Sequence, residues 1–134
     1  MSFKYPIMKI AANIVGGLLG LLFIAFSLMV LLKLVPMPPP PEGTPVASFM
    51  AAFVPTGYLT FVKVFELIGG ILVAIPKTRN FGLLVLGPII INILAFHIFV
   101  MKGAELFDPV VITICLFSLF LLWSGRKAFA GLMN

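Results

Sequence analysis

Apolar residues in this chain fall into four long runs, each closed by a short cluster of proline, glycine or charge. The first run extends from Ile10 to about Val35 and stops at Pro36 and Pro38 to Pro41. A crossing helix needs about 20 apolar residues, so the run predicts a membrane span over about 10–35. Its length exceeds the roughly 7–15 apolar residues of a signal peptide. No small-residue cleavage site follows Leu34 and Val35, so the helix is expected to be retained. Ala12, Gly16 and Gly20 form a small-xxx-small row, which lets helix backbones approach closely in lipid. Lys33, at the far end, is placed either to snorkel to head groups or to turn inward.

The proline cluster forces an extended spacer. Thr44-Pro45 has the form of an N-cap followed by a first-turn proline, and predicts a short interfacial helix over about 45–54. A second span follows over about 58–75, then a tight polar turn at Lys77, Thr78, Arg79 and Asn80. The third covers about 81–101, with Pro88 and Asn92 near its middle and His97 towards its end. Asp108-Pro109, another cap and first-turn proline, opens a fourth over about 109–124. A short apolar tail then leads to Asn134. The expected fold class is all-α: a single membrane domain over 1–134, an integral four-helix bundle with one interfacial helix between its first two spans.

Composition removes the soluble alternative. Of the 134 residues, 62% are hydrophobic and 10% charged, against about 45–50% and about 25% in ordinary globular domains. The net charge of +5 has no basic run or groove-reading motif behind it, so nucleic acid is not an expected partner; the lipid bilayer is. Lys4, Lys9, Lys77, Arg79, Arg126 and Lys127 fall on one face with no acidic residue, which predicts both termini in the cytoplasm. Tyr5 and Trp123 suit interfacial anchoring there. Cys115, the single cysteine, excludes an internal disulfide and reads as buried packing.

Chemistry concentrates in the second and third spans. Lys63 and Glu66, three residues apart, share a helix face with Gly70. A charge near the bilayer centre costs roughly 2.5 kcal/mol or more, so the pair is expected to face the protein interior. It reads as a ligand or proton site, or as an ion pair joining helices. Asn92 is expected to act as interhelical glue. His97 is expected to hold an interhelical hydrogen bond, and is the one group whose ordinary pKa lies near neutrality. Five residues put Asn92 and His97 about 140° apart, so both border one cavity only if their helix presents a broad face. Pro88 would free the Leu84 carbonyl and bend the helix. With the predicted topology, Lys33, Lys63, Glu66, Asn92 and His97 form a polar layer in the outer half, Asn13 being the main inner exception. No metal-ligand spacing, phosphate loop or nucleophile–base motif is present, so neither a resident cofactor nor stand-alone enzyme chemistry is expected.

Lys33 to Gly43, Thr56-Gly57-Tyr58, Lys63 to Gly70 and Pro88 to His97 together resemble the DoxX-like family of small four-helix membrane proteins. The resemblance spans about Ile10 to Trp123. It implies a compact bundle in the bacterial inner membrane, and maps the family's recurring polar positions onto Lys33, Lys63, Glu66, Asn92 and His97. Some related proteins are linked to thiosulfate:quinone oxidoreductase, others to membrane redox assemblies or maturation of partner proteins. Without a cysteine pair, a redox role here would depend on a partner protein or a diffusible quinone. The expected function is that of a binding or accessory subunit whose outer-half pocket takes a quinone, lipid or other small amphipathic ligand. The alternatives are a small proton-coupled exporter using Glu66, and a membrane scaffold or chaperone in which Lys63 and Glu66 lock helices.

Overall fold

The computed structural model describes residues 4–133, with side chains from residue 7 onward, so the side-chain readings of Lys4 and Tyr5 lie outside what is described, as does Asn134. All regular structure in that range is helical: α1 (Lys4–Leu31), α2 (Pro45–Phe53), α3 (Tyr58–Ala74), α4 (Arg79–Ala95), α5 (Pro109–Ser124) and α6 (Arg126–Ala130). Single 3₁₀ turns at Pro76–Thr78 and Gly131–Met133 join α3 to α4 and follow α6. A π-helical turn, Phe96–Val100, extends α4. The caps form as the side chains dictate. Thr44 accepts from the Ala47 amide at 3.2 Å and Asp108 from the Val110 amide at 2.8 Å.

α1 stops at Leu31, four residues short of the expected boundary, because the chain turns there before reaching the prolines. The Lys33 amide donates to Val30 and the Leu34 amide to Met29, with Lys33 left-handed at φ 53°. This pattern satisfies carbonyls at a helix end and usually carries glycine at the left-handed position. At the other boundary, the expected apolar tail is instead α6 and a 3₁₀ turn, bent 72° from α5.

α1, α3, α4 and α5 pack in a ring, α1 and α4 each touching both α3 and α5. Leu19, Phe23, Val73, Leu86 and Leu121 are almost fully buried at its centre. One end of the ring gathers the start of α1, the α3–α4 turn and α6; it is called the termini end below. Residues 32–57 and 101–108 form the loop end. Two helices, Ile7–Leu31 and Pro76–Val100, are each 25 residues long and apolar enough to cross a membrane. The count reaches four if α2 with α3, bent by 81°, and α5 with α6 are each one broken span. Apolar side chains also cover the outside, among them Leu21, Ile91, Leu116 and Leu119. A water-soluble monomer rarely exposes so continuous a surface.

The tightest packing is between α1 and α3. A Cβ placed on Gly20 would lie 2.5 Å from the Gly70 carbonyl oxygen and 2.7 Å from the Ala74 Cβ. Gly69 admits Leu86 in the same way, and Gly82 admits the backbone of Val73. Gly17, on the other face of α1, has nothing within 4 Å.

Gly20→Ala is therefore expected to force the two backbones apart and destabilise the fold by about 1–3 kcal/mol. Gly17→Ala should be neutral or stabilising by up to about 1 kcal/mol. Unfolding in detergent measures both, and equal effects would remove the close-approach argument. Lys33→Gly relieves a left-handed lysine and should raise stability by roughly 1 kcal/mol. A fall in stability would show that the lysine side chain contributes more than the turn costs.

Candidate functional site

Glu66 is the most buried ionisable residue described, with 5% of its surface exposed. Its position follows from α3: Gly57 supplies a left-handed turn at φ 86°, and the helix starts at Tyr58. The next two turns place Leu59, Val62, Lys63 and Glu66 at i, i+3, i+4 and i+7, a single stripe. Gly69 and Gly70 then bring α4 and α1 in close beside that stripe. The Lys63 Nζ donates to Glu66 Oε1 at 3.2 Å. This ion pair lies within one helix, so it does not tie two helices together. It answers the desolvation of Glu66, since a buried charge without a partner costs several kcal/mol. Glu66 Oε2 is left for another partner.

The stripe forms one wall of a cavity of about 620 Å³ near the loop end. The facing wall is the α4 stripe Ile89, Asn92 and Ile93, continued by Phe96, His97 and Val100 in the π turn. These positions give the broad helix face that Asn92 and His97 required, so both border the cavity with Lys63 and Glu66. Their hydrogen bonds differ from expectation. The Asn92 side-chain amide donates to the Pro88 carbonyl at 2.8 Å, and His97 Nδ1 lies 2.8 Å from the Ile93 carbonyl. Both bonds reach four residues back along the same helix, so they do not join helices. The carbonyls of the preceding turn are the nearest acceptors. A carbonyl oxygen only accepts, so Nδ1 carries a proton and Nε2 of the neutral ring is an acceptor. α4 continues through Pro88.

α2 closes the third side. Phe49 packs on Phe96 with ring centroids 5.0 Å apart and on Phe53 at 4.7 Å; Phe53 in turn meets Tyr58 at 4.8 Å. The series joins the π turn, α2 and the start of α3 into one aromatic wall. Each such pair adds about 0.5–1.5 kcal/mol beyond area burial. Sequence reasoning missed this wall, although Phe49 and Phe53 at i, i+4 were its signal.

Lys33 does not belong to this lining. It is exposed, in the turn that closes α1. Two other polar features escaped the sequence reading. Ser27 is fully buried and its hydroxyl has no partner among the described residues. It lies one turn beyond Phe23, which packs against Gly70; Glu66 lies one turn before Gly70. Ser27 and Glu66 therefore occupy the same level of the α1–α3 seam. At the termini end, the Arg79 Nη2 donates to Asn13 Oδ1 at 2.6 Å. The polar turn that opens α4 thus contributes a side chain to the helix packing. Among the described residues, no group of three His, Cys, Asp or Glu could hold a metal ion.

Comparison with known proteins adds one relative and no family. Over 77 residues the chain is 29% identical to the uncharacterised protein YwoB of Bacillus subtilis (strain 168), covering 58% of this chain and 48% of that protein. The chain thus spans about half the length of that curated relative. No family model matches. No solved structure matches.

Proposed function

We propose that this chain is a DoxX-like four-helix protein of the bacterial inner membrane, with both termini cytoplasmic. In this reading it is a binding or accessory subunit for a small amphipathic molecule, a quinone or a lipid, serving a redox partner. The observation that carries the reading is the Lys63–Glu66 pair, its carboxylate buried, on the wall of a cavity lined mostly by aromatic and aliphatic side chains. Small-molecule sites are typically concave, roughly 300–1,000 Å³ and mostly apolar, with a few polar groups that fix orientation. The cavity has that size and that balance.

Its polar groups are complementary in kind. Lys63 supplies an ammonium donor, while Glu66 Oε2 and His97 Nε2 are acceptors. A head group carrying both oxygen acceptors and hydroxyl donors would meet them, with an apolar ring or chain between Phe49, Phe53 and Phe96. A pair confined to one helix argues against a purely structural lock between helices, since it adds no bond across any interface.

The decisive measurement is mass spectrometry of quinones and lipids that co-purify with the protein in mild detergent. One amphipathic species should be enriched over a detergent control, and a short-chain quinone or lipid should bind by calorimetry. Glu66→Gln should weaken that binding about tenfold, the size expected for losing a charged hydrogen-bond partner. An empty protein with no calorimetric binding would end the proposal. Lys63→Met tests the pair separately. It leaves the more buried partner alone and should destabilise the fold by roughly 3 kcal/mol, more than Glu66→Gln does.

A further inference from the structure

Arg79 is a partly enclosed cation with no counter-charge among the described residues. It is the first residue of α4, and its side chain turns back across α1. Nη2 bonds Asn13 at 2.6 Å, and Nε lies so close over Gly16 that a Cβ there would be 2.6 Å from it. Nε is shut off from solvent and has no acceptor among the described residues. A neutral amide is thus its side-chain partner. The chain's four carboxylates lie elsewhere: Glu66 at the cavity, and Glu42, Glu105 and Asp108 at the loop end. Partial desolvation of a guanidinium is unfavourable unless an anion offsets it, and one neutral hydrogen bond offsets only part.

The neighbours of Arg79 add positive charge. Lys77 precedes it in the turn, and Lys9 lies one helical turn before Asn13. The Asn80 side chain packs against Gly125, which brings Arg126 to the same end of the ring. Arg126 is held in place: its guanidinium lies 4.4 Å from the centroid of the Trp123 ring and donates to the Trp123 carbonyl at 2.8 Å. Tryptophan and basic residues together mark the depth of lipid head groups. α6 turns away from the axis of α5 at this point, and the exposed Leu132 and Met133 follow it.

We propose that Arg79 and Arg126 bind the phosphate of an anionic phospholipid at the termini end. Each guanidinium keeps N–H groups beyond those bonded to Asn13 and the Trp123 carbonyl, and these can donate charge-assisted hydrogen bonds to a phosphate's oxygens. The adjoining Trp123, Leu132 and Met133 favour an anion that carries an acyl chain over one free in water. The site depends on the chain being in a membrane, and is independent of the cavity ligand.

The test uses the full chain in mild detergent, titrated with phosphatidylglycerol or phosphatidylcholine, reading retained lipid by native mass spectrometry and melting temperature alongside. Phosphatidylglycerol should be retained preferentially, and added salt should weaken it. Arg79→Gln, which keeps an amide able to bond Asn13, should reduce retention about fivefold, the effect of one basic residue near an anionic surface. Should that variant fold poorly, Arg126→Gln with Lys127→Gln decides, because both side chains are exposed; retention should again fall. Equal retention of the two lipids, or phosphatidylglycerol retention unchanged in the folded variants, would overturn the site. Inorganic phosphate reproducing the stabilisation without lipid would also overturn it, by identifying a soluble anion as the occupant. Retention lost in the Arg79 and Arg126 variants but kept in Glu66→Gln marks this site, and the reverse pattern marks the cavity, so failure at either site is distinguishable from failure at the other.

Discussion

The fold depends on the distance between α1 and α3. At Gly20 and Gly70 the two backbones meet with no room for a side chain, and carbonyl oxygens occupy the space a Cβ would take. In lipid, apolar side chains gain little by leaving hydrocarbon for a protein interior, so dispersion from close contact carries more of the association. Small residues are therefore structural requirements here. The same device recurs where Gly69 receives Leu86 and Gly82 receives Val73, which sets α4 against the opposite side of α3. α3 is consequently held from two sides by its own glycines.

That contact also determines where polarity is tolerated. One turn towards the loop end from Gly70, the seam carries Glu66 on α3 and the buried Ser27 on α1. Towards the termini end it reaches Gly16, over which Arg79 folds. The glycines thus separate a cavity-lining level that holds the Lys63–Glu66 pair from a basic level with no Asp or Glu side chain among the described residues. A charged side chain between them would have neither water nor a partner. The two proposed ligands follow from this division: a head group able to meet Lys63 and Glu66 at one end, and a phosphate for Arg79 and Arg126 at the other.

Most element positions were legible in the sequence, because they are local. Thr44-Pro45 and Asp108-Pro109 set the starts of α2 and α5 through caps and proline geometry that need only a few neighbouring residues. The apolar runs set helix existence, and the row Ala12, Gly16, Gly20 marked the face on which α1 packs. Lys63 and Glu66 stood out for the same reason, three residues apart in an apolar segment. The end of α1 was less legible, since a left-handed lysine is an unusual way to close a helix and proline was the stronger signal.

What the sequence determined by itself, then, was periodicity: which segments are helices, which faces are small, and which charges lie on one stripe. Tertiary structure decided which stripes face each other. The α3 stripe through Lys63 and Glu66 and the α4 stripe through Asn92 and His97 enclose one cavity because Gly69 sets the spacing of their helices. α2 supplies its aromatic wall because Phe49 meets Phe96, a residue 47 positions away. Lys33 was grouped with these residues by depth and by the family resemblance, and neither carries an azimuth. Arg79 read as a turn residue until α1 offered Asn13, a partner 66 positions distant. Contacts of that separation depend on how helices cross, and one-dimensional spacing does not contain a crossing.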